Sequence, residues 1–233
     1  MKTKPSGGRH PVDTVSQKRL VETVRALVEA GAEVNYATNE GRTALHAAAG
    51  VHGHPEVVRT LAVAGAEVNQ ADNKGRTALF GAAYHGRVEA VQKLLEAGAA
   101  VDLANNTSAT ALFVAAQEGH VAVIKVLLEA RAEVNHARIT GWTALHIAAH
   151  MGHVEVMRTL LEAGAEVDHA LHTGHTALHI AAQEGHVEVI KVLLQAGAVL
   201  NHKTNDGNTP LDIARGFDHE AAAQALVQAG ATV

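Results

Sequence analysis

Histidine is the residue type in this sequence that is best suited to metal binding or proton transfer. The chain of 233 residues contains 17 histidines, and an imidazole can bind a transition metal or transfer a proton near neutral pH. His169, His172 and His175 lie within the segment HALHTGH, and His136, His169 and His202 recur at intervals of 33 residues. Either set could hold a metal if its rings converged. Because HALHTGH contains no carboxylate or cysteine, we interpret it as a solvent-exposed loop and predict no metal site.

The other residue types used in catalysis form no recognised pattern. The chain has no cysteine, which excludes disulfides, thiolate zinc ligands and a cysteine nucleophile. It also lacks a nucleophile elbow, a phosphate-binding loop, an HExxH motif and a compact acid–base pair. We therefore predict no catalytic residues, no cofactor and no enzymatic activity. An enzyme or a metal-dependent sensor built on the His-rich loops remains the weakest alternative.

Composition and charge narrow the class of protein. Apolar residues make up 47% of the sequence and aromatic residues only 3%, which favours thin helical layers in close contact. The formal charge of −5 disfavours binding to the phosphate backbone of nucleic acids. No apolar run reaches the roughly 20 residues of a membrane span, and the N-terminal sequence has no apolar signal region. We expect a monomeric, intracellular, cytoplasmic protein that contacts neither nucleic acid nor membrane, with a disordered polar tail over residues 1–10.

The elements that position the histidines follow a sequence repeat. Threonine begins a similar phrase six times, with spacings of 34, 33, 33, 33 and 33 residues, at Thr43, Thr77, Thr110, Thr143, Thr176 and Thr209. A fixed period of this length is typical of a solenoid. Within the period that starts at Thr176, apolar residues at helical spacing predict one short helix up to Gly185 and a second up to Gly197. Stacking such helix pairs buries apolar surface that no single repeat could bury.

The repeated phrases resemble the ankyrin repeat family. The segment TPLDIA at residues 209–214 and the TALH segments starting at Thr43, Thr143 and Thr176 are similar to the family's T-P-L-H-x-A motif at its 33-residue period. The resemblance implies an all-α solenoid of helix-turn-helix units joined by β-turn or hairpin fingers. It divides the chain into an N-terminal cap (11–36), five full repeats (37–70, 71–103, 104–136, 137–169 and 170–202) and a C-terminal cap repeat (203–233).

Departures from the repeat motif indicate local irregularities. Val51 and His52 lie in a one-residue insertion, so we expect the turn there to bulge. Phe80 and Phe113 replace the motif's histidine, and we expect them to fill the same space by packing. Arg131 replaces a glycine that ends a second helix, which predicts a left-handed backbone conformation at a residue type that rarely adopts one.

The resemblance also implies structural roles for eight histidines. In the family, histidines at the TALH and GH positions form hydrogen bonds with backbone groups and with the threonine hydroxyl; these positions are His46, His54, His120, His146, His153, His179, His186 and His219. Neighbouring helical layers lie about 8–10 Å apart, whereas zinc–nitrogen bonds are about 2 Å long. We therefore interpret the column of His136, His169 and His202 as a ladder along the solenoid, and predict no metal cage there either.

Asparagine recurs in the turn that follows several second helices, at Asn35, Asn69, Asn135 and Asn201. One interpretation is that asparagine simply suits a turn, because it tolerates unusual backbone angles. The resemblance offers a second, since intracellular asparaginyl hydroxylases modify this residue in some ankyrin proteins. The sequence leaves both interpretations open.

The resemblance implies a non-catalytic scaffold that binds a protein or peptide through a concave surface of fingers and first helices. The variable positions of that surface are the finger residues and the two residues after the AA pair. The large side chains at these positions form the predicted binding site, with Trp142 as its anchor because Tyr, Trp and Arg most often anchor interfaces: Tyr84, His85, Arg138, Ile139, Trp142, His150, Met151, Leu171, His172 and His175. The alternative function is an engineered or selected binder on the same scaffold, although the insertion and Arg131 are unlike an idealised design.

Overall fold

The chain folds into a row of short α-helices. The computed structural model describes residues 11–232, with side chains from residue 18 onward, so the tail expected over residues 1–10 lies outside the described residues. Within that range every regular element is helical and the fingers contain no strand, as the all-α prediction requires. The helices of this range are α1 (Pro11–Glu29), α2 (Ala44–Ala49), α3 (Pro55–Val63), α4 (Ala78–Tyr84), α5 (Val88–Glu96), α6 (Ala111–Gln117), α7 (Val121–Glu129), α8 (Ala144–Met151), α9 (Val154–Glu162), α10 (Ala177–Gln183), α11 (Val187–Gln195), α12 (Pro210–Gly216) and α13 (Glu220–Gln228).

The helices from α2 onward form six consecutive pairs, and the two helices of each pair lie in different layers. The even-numbered helices, here called first helices, pack against one another in chain order, and the odd-numbered second helices do the same. The helix α1 packs against α3 and therefore extends the layer of second helices. Since each pair packs chiefly against its neighbours, the architecture is a solenoid.

Each first helix begins at the repeated threonine because that residue caps it. Thr77 has extended backbone angles, and its hydroxyl accepts a hydrogen bond from the Phe80 backbone N–H at 3.2 Å. Such a cap satisfies a donor that the helix itself cannot pair. The same helices end near glycines with positive φ, such as Gly152 at 73°, which turn the chain into the second helix.

Small side chains allow the first helices to approach one another closely. Each inner first helix carries a pair of fully buried alanines: Ala82 and Ala83, Ala115 and Ala116, Ala148 and Ala149, Ala181 and Ala182. Each inner second helix contributes a fully buried leucine, at Leu94, Leu127, Leu160 and Leu193. Burying one leucine side chain stabilises a fold by about 1.5–3 kcal/mol. Most of the core therefore lies between repeats.

Six fingers connect the repeats, each closed by its own backbone hydrogen bonds. In the first, the Thr38 N–H donates to the Arg42 carbonyl and the Gly41 N–H donates to the Thr38 carbonyl, at 2.9 and 2.8 Å. The same closure recurs in all six, so we define the fingers as residues 38–42, 72–76, 105–109, 138–142, 171–175 and 204–208. They are numbered one to six along the chain.

Asparagines at the fingertips tie some neighbouring fingers together. The Asn73 backbone N–H donates to the Glu40 carbonyl at 3.0 Å, and its side-chain amide donates to the Asn39 carbonyl at 2.9 Å. Asn106 and Asn205 make the equivalent pair of bonds to fingers two and five. In the described structure no such bonds join finger three to four or four to five, where Ile139 and His172 occupy the asparagine position.

The asparagines after the second helices also link repeats, a role that the sequence interpretation missed. The Asn35 amide donates to the Gly65 carbonyl at 3.1 Å, and its Oδ1 accepts the Glu67 N–H at 2.8 Å. Asn69 and Asn135 each make the same two contacts with the repeat that follows them. These residues therefore do more than adopt a turn, because each pairs two backbone groups of the next repeat.

The insertion near Val51 bulges the turn, which confirms the prediction. The helix α2 ends at Ala49, and the His54 N–H donates to the Ala48 carbonyl six residues back at 2.8 Å. In the next repeat the corresponding bond spans five residues, from Arg87 to Ala82. The extra residue is thus absorbed within the loop and does not shift the register of α3.

Three residues other than glycine adopt positive φ in the described range. Arg131 has φ of 64°, which confirms the expected left-handed conformation, and Ser108 and Asp218 have φ of 58° and 59°. The latter two were missed, although the sister repeats carry glycine at both positions. The equivalents of Arg131, at Gly98 and Gly164, leave open space around a built Cβ. The strain at Arg131 is therefore in the backbone and does not come from a clash.

Replacing Arg131 by glycine should stabilise the protein. Glycine adopts positive φ without steric cost, so Arg131→Gly should raise the free energy of unfolding by up to about 1 kcal/mol. Thermal melting should show a midpoint higher by about 2–4 °C. The matched control is Gly164→Arg, which places the same side chain at the sister position and should lower the midpoint. An unchanged or lowered midpoint for Arg131→Gly would show that Arg131 makes a compensating contact.

Candidate partner-binding surface

Histidines at the TALH positions are buried and fully bonded. The Nδ1 atom of His146 accepts hydrogen bonds from the Thr143 backbone N–H and hydroxyl at 3.3 and 2.8 Å, and its Nε2 donates to the His169 carbonyl at 3.1 Å. His179 makes the same contacts with Thr176 and the His202 carbonyl. Each of these histidines is therefore a neutral imidazole that ties a helix cap to the turn before the next finger.

Burial keeps these two rings neutral. Loss of hydration, together with the nearby His169 ring, lowers the pKa of His146 from 6.5 to about 4. Burial likewise lowers the pKa of His179 to about 4, against the raising effect of its hydrogen bond to the Asn208 carbonyl. His46, at the same position in the first repeat, has its pKa lowered chiefly by burial. These buried environments disfavour the protonated rings, and therefore proton exchange with bulk water, at neutral pH.

Histidines at the GH positions fix the ends of the first helices. The Nε2 atoms of His120, His153 and His186 each donate to a backbone carbonyl of the preceding repeat at 3.0 Å. The acceptors include the carbonyls of Tyr84 and His150, which belong to the predicted binding site. Structural histidines thus hold the backbone that presents the candidate site.

The His-rich finger and the histidine column do not converge on a metal geometry. Within the described residues, no group of three histidine, aspartate or glutamate side chains could hold a metal ion. His175 contacts the hydroxyl of its own finger's Thr173 at 2.9 Å. The rings of His169 and His202 lie edge-on against His146 and His179, with centroids 5.7 and 5.8 Å apart. The column is therefore spread over separate repeats.

The predicted binding residues lie on the surface formed by the fingers and first helices, here called the finger face, but their exposure differs. Tyr84, Ile139 and Met151 are 41%, 69% and 46% exposed, and His172 is also exposed. The remaining six are half-buried: His85, Arg138, Trp142, His150, Leu171 and His175. The finger face therefore presents large apolar side chains to solvent in its central repeats.

Trp142 is partly used in packing. Its indole lies edge-on to the His150 ring, 5.8 Å between centroids, and 6.2 Å from the buried His146 ring. His150 also faces Glu184 of the next repeat at 3.3 Å. Trp142 therefore serves the fold on one side and borders the surface on the other, which the sequence alone did not indicate.

Three of the predicted residues line a cavity at the N-terminal half of the finger face. The cavity has a volume of about 630 Å³, and Tyr84, His85 and Arg138 contribute to its wall. Trp142, Ile139 and the other predicted residues lie outside it. Arg42 also lines the cavity and was missed by the sequence analysis. The signal for it was available, because Arg42 occupies the finger position that Trp142 occupies in the fourth finger.

Two phenylalanines line the buried side of this cavity. Phe80 and Phe113 stand where other repeats have histidine and are almost fully buried, which confirms the prediction that they pack in that space. The Arg138 guanidinium lies 4.9 Å from the centre of the Phe113 ring, within the range of a cation–π contact. The cavity thus combines an aromatic floor with a cationic wall.

Sequence and structure comparisons agree on the family. The family model described as ankyrin repeats matches in three copies, over residues 13–105, 98–170 and 167–233. The chain belongs to the ankyrin repeat family. The crystal structure of the human ASB11 ankyrin repeat domain is similar, with a TM-score of 0.82 and 30% sequence identity over 97% of this chain and 100% of that one. No curated protein sequence matches the chain.

Ankyrin repeats generally act as scaffolds for protein–protein interaction, and this chain is such a repeat domain. None of the described helices combines the length and apolarity that crossing a bilayer requires.

Mild acid should destabilise this ankyrin domain through His146 and His179. Their pKa is about 4 in the folded chain and about 6.5 when unfolded, so the unfolded state binds more protons between these values. The stability that these two histidines contribute is therefore complete above pH 6.5 and falls as the pH drops toward 4. At pH 5 each histidine should cost about 2 kcal/mol relative to pH 7. Urea denaturation at the two pH values measures the loss.

The control replaces both histidines by phenylalanine, the residue that two other repeats of the chain carry at this position. In the double variant His146→Phe/His179→Phe, the difference in unfolding free energy between pH 7 and pH 5 should shrink by about 4 kcal/mol, whatever its stability at pH 7. The exposed His172→Phe should leave that difference unchanged. An undiminished pH dependence in the double variant would contradict the assignment to these two histidines.

Proposed function

We propose that the chain is a non-catalytic scaffold that recognises a protein or peptide through the finger face. The observation that supports this most is the exposure of large apolar residues where the fold does not need them. The place of Tyr84 is taken by Gln117 and Gln183 in sister repeats, and the place of Ile139 by asparagine in four other fingers. Because the same architecture forms with polar residues there, stacking does not explain the apolar ones. Binding to a partner does.

Trp142 strengthens the proposal as the anchor of this surface. Tryptophan and tyrosine carry a large share of binding energy at interfaces when they are partly pre-packed and then covered by a partner. The contacts of Trp142 with His146 and His150 hold its indole in one orientation, so little rotamer entropy remains to be lost on binding. The patch runs from Tyr84 through Trp142 to Met151 and the fifth finger.

Catalysis and metal sensing receive less support from the histidines. His146 and His179 are occupied by threonine caps and backbone carbonyls, and the GH histidines bind carbonyls of the preceding repeat. These side chains are therefore committed to holding the repeats together. The scaffold function needs no chemistry from them.

Substitutions that introduce the residue found at the same position in a sister repeat should weaken binding without destabilising the fold. The partner is first captured from the native cells with the wild-type chain and identified by mass spectrometry. Tyr84→Gln/Ile139→Asn should then weaken its Kd at least tenfold, about 1.4 kcal/mol, because two exposed apolar contacts are lost. Tyr84→Ala/Trp142→Ala should weaken it at least as much, and a thermal melt must show how far the half-buried Trp142 also affects stability.

The matched control changes exposed apolar residues elsewhere. Val63 ends the second helix α3, and Val199 lies in the turn after α11, and both are at least half exposed. Val63→Ala/Val199→Ala should leave the Kd within twofold of wild type. Full binding by Tyr84→Gln/Ile139→Asn would move the interface away from the finger face.

A further inference from the structure

The cavity on the finger face gathers positive charge in a chain whose formal net charge is −5. Four of its lining residues are basic, namely Arg42, Lys74, Arg76 and Arg138, and the single acidic one is Asp72. Asp72 is buried and pairs with Arg76, whose Nη2 and Nε lie 2.6 and 2.8 Å from its Oδ2. Among the described residues, the other three cations of the lining therefore have no acidic partner in the cavity.

Basic side chains on the second helices, in contrast, form ion pairs with glutamates. Four of them pair with a glutamate three residues away: Arg59 with Glu56, Lys93 with Glu96, Arg158 with Glu155 and Lys191 with Glu188. Within the described residues, Arg42, Lys74 and Arg138 have no carboxylate at ion-pair distance. Glu40 and Glu118 belong to the same repeats but neither lines the cavity. Like charges gathered without counterions attract anionic ligands.

Arg138 is positioned by a substitution within its finger. In fingers two and three the equivalent Asp72 and Asn105 use Oδ1 to accept two backbone N–H groups of their own finger. Arginine has no acceptor, so Arg138 instead reaches back to the Thr107 carbonyl at 3.4 Å and over the Phe113 ring at 4.9 Å. Its guanidinium is thereby brought to the cavity wall formed by the preceding repeat.

The dimensions suit an extended chain. Fingers one to four are separated by three repeat steps of about 8–10 Å each, and an extended peptide rises about 3.3 Å per residue. About eight residues would therefore run from Arg42 past Lys74 to Arg138. The half-exposed Tyr84 provides apolar surface along that path, and the almost fully buried Phe80 and Phe113 line the cavity beneath it.

We propose that this cavity binds an extended acidic segment of the partner protein, with carboxylates on Arg42, Lys74 and Arg138 and an apolar side chain against the aromatic floor. The inference rests on the proposed scaffold function and specifies the chemistry of its partner. Arginine binds carboxylates through two parallel hydrogen bonds, so at least Arg42 and Arg138 can select acidic residues by geometry as well as by charge.

Selection from a peptide library tests the inference directly. A phage-displayed library of random peptides of about twelve residues is selected on the full chain, and the share of Asp and Glu should rise at least twofold over the unselected library. A selected peptide, labelled with fluorescein, is then measured by fluorescence polarisation. Its Kd should rise at least tenfold for Arg42→Gln/Lys74→Gln/Arg138→Gln and should also rise with salt concentration.

The control removes three cations from the second helices. Arg59→Gln/Lys93→Gln/Lys191→Gln changes the net charge by the same amount and should alter the peptide Kd less than twofold. Equal losses in both triple variants would overturn the inference, since only net charge would then matter. Neutral or basic selected peptides, the absence of any selected peptide, or tighter binding of a twelve-nucleotide single-stranded thymidine oligomer would overturn it as well.

Failure of the inference can be told apart from failure of the proposed function. If the captured partner is lost by Tyr84→Gln/Ile139→Asn but not by the cation-removing triple variant Arg42→Gln/Lys74→Gln/Arg138→Gln, the scaffold function stands and the acidic segment is wrong. If the partner binds both variants as tightly as wild type, the finger face is not the interface and both proposals fall.

Discussion

The close approach of alanine-lined first helices sets the spacing of the whole molecule. Buried alanines such as Ala115 and Ala148 let successive helices pack with little intervening volume, and that distance fixes where every finger must lie. Larger side chains at these positions would force the layers apart and break the hydrogen bonds between fingers and turns. The finger face is regular because the core beneath it is built from the smallest apolar residue.

Polar contacts between repeats then set the orientation that apolar packing leaves free. His146 and His179 connect a threonine cap to a carbonyl in the turn before the next finger, and the GH histidines hold the last carbonyls of the preceding first helix. Burial keeps both rings neutral. Only a neutral ring can accept a hydrogen bond from threonine at Nδ1. Residues that suggest chemistry in the sequence are thus used to position a surface.

The sequence predicted the parts of the fold that depend on spacing within one repeat. The threonine period, the two helices of each repeat, the bulge near Val51 and the left-handed Arg131 all follow from local rules. The two hydrogen bonds of the Asn35 side chain to the next repeat could not be predicted without knowing which backbone groups lie opposite. Ser108 and Asp218 could have been found by comparison with the glycines of sister repeats, because their backbone geometry is set by position in the repeat.

The candidate site was predicted less completely for a physical reason. Exposure of Tyr84, Ile139 and Met151 follows from their place in the repeat, but the half-burial of Trp142 depends on His146 and His150 lying beneath it. The charged cavity depends on the joint placement of Arg42, Lys74 and Arg138 from three fingers. Each of these cations alone resembles an ordinary surface residue, and only the stacking of repeats brings them around one cavity.

The uneven distribution of fingertip asparagines has a mechanical consequence. Asn73, Asn106 and Asn205 tie fingers one to three and fingers five to six, whereas Ile139 and His172 make no such bonds, and finger four keeps only the 3.4 Å contact of Arg138 Nε with the Thr107 carbonyl of finger three. Bending stiffness along the finger row is therefore lowest between the fourth and fifth fingers, which no hydrogen bond between described residues joins. A ligand that spans this joint can change the distance between the basic cavity and the His-rich fifth finger without breaking a fingertip hydrogen bond, so the two ends of the finger face can adapt separately to one partner.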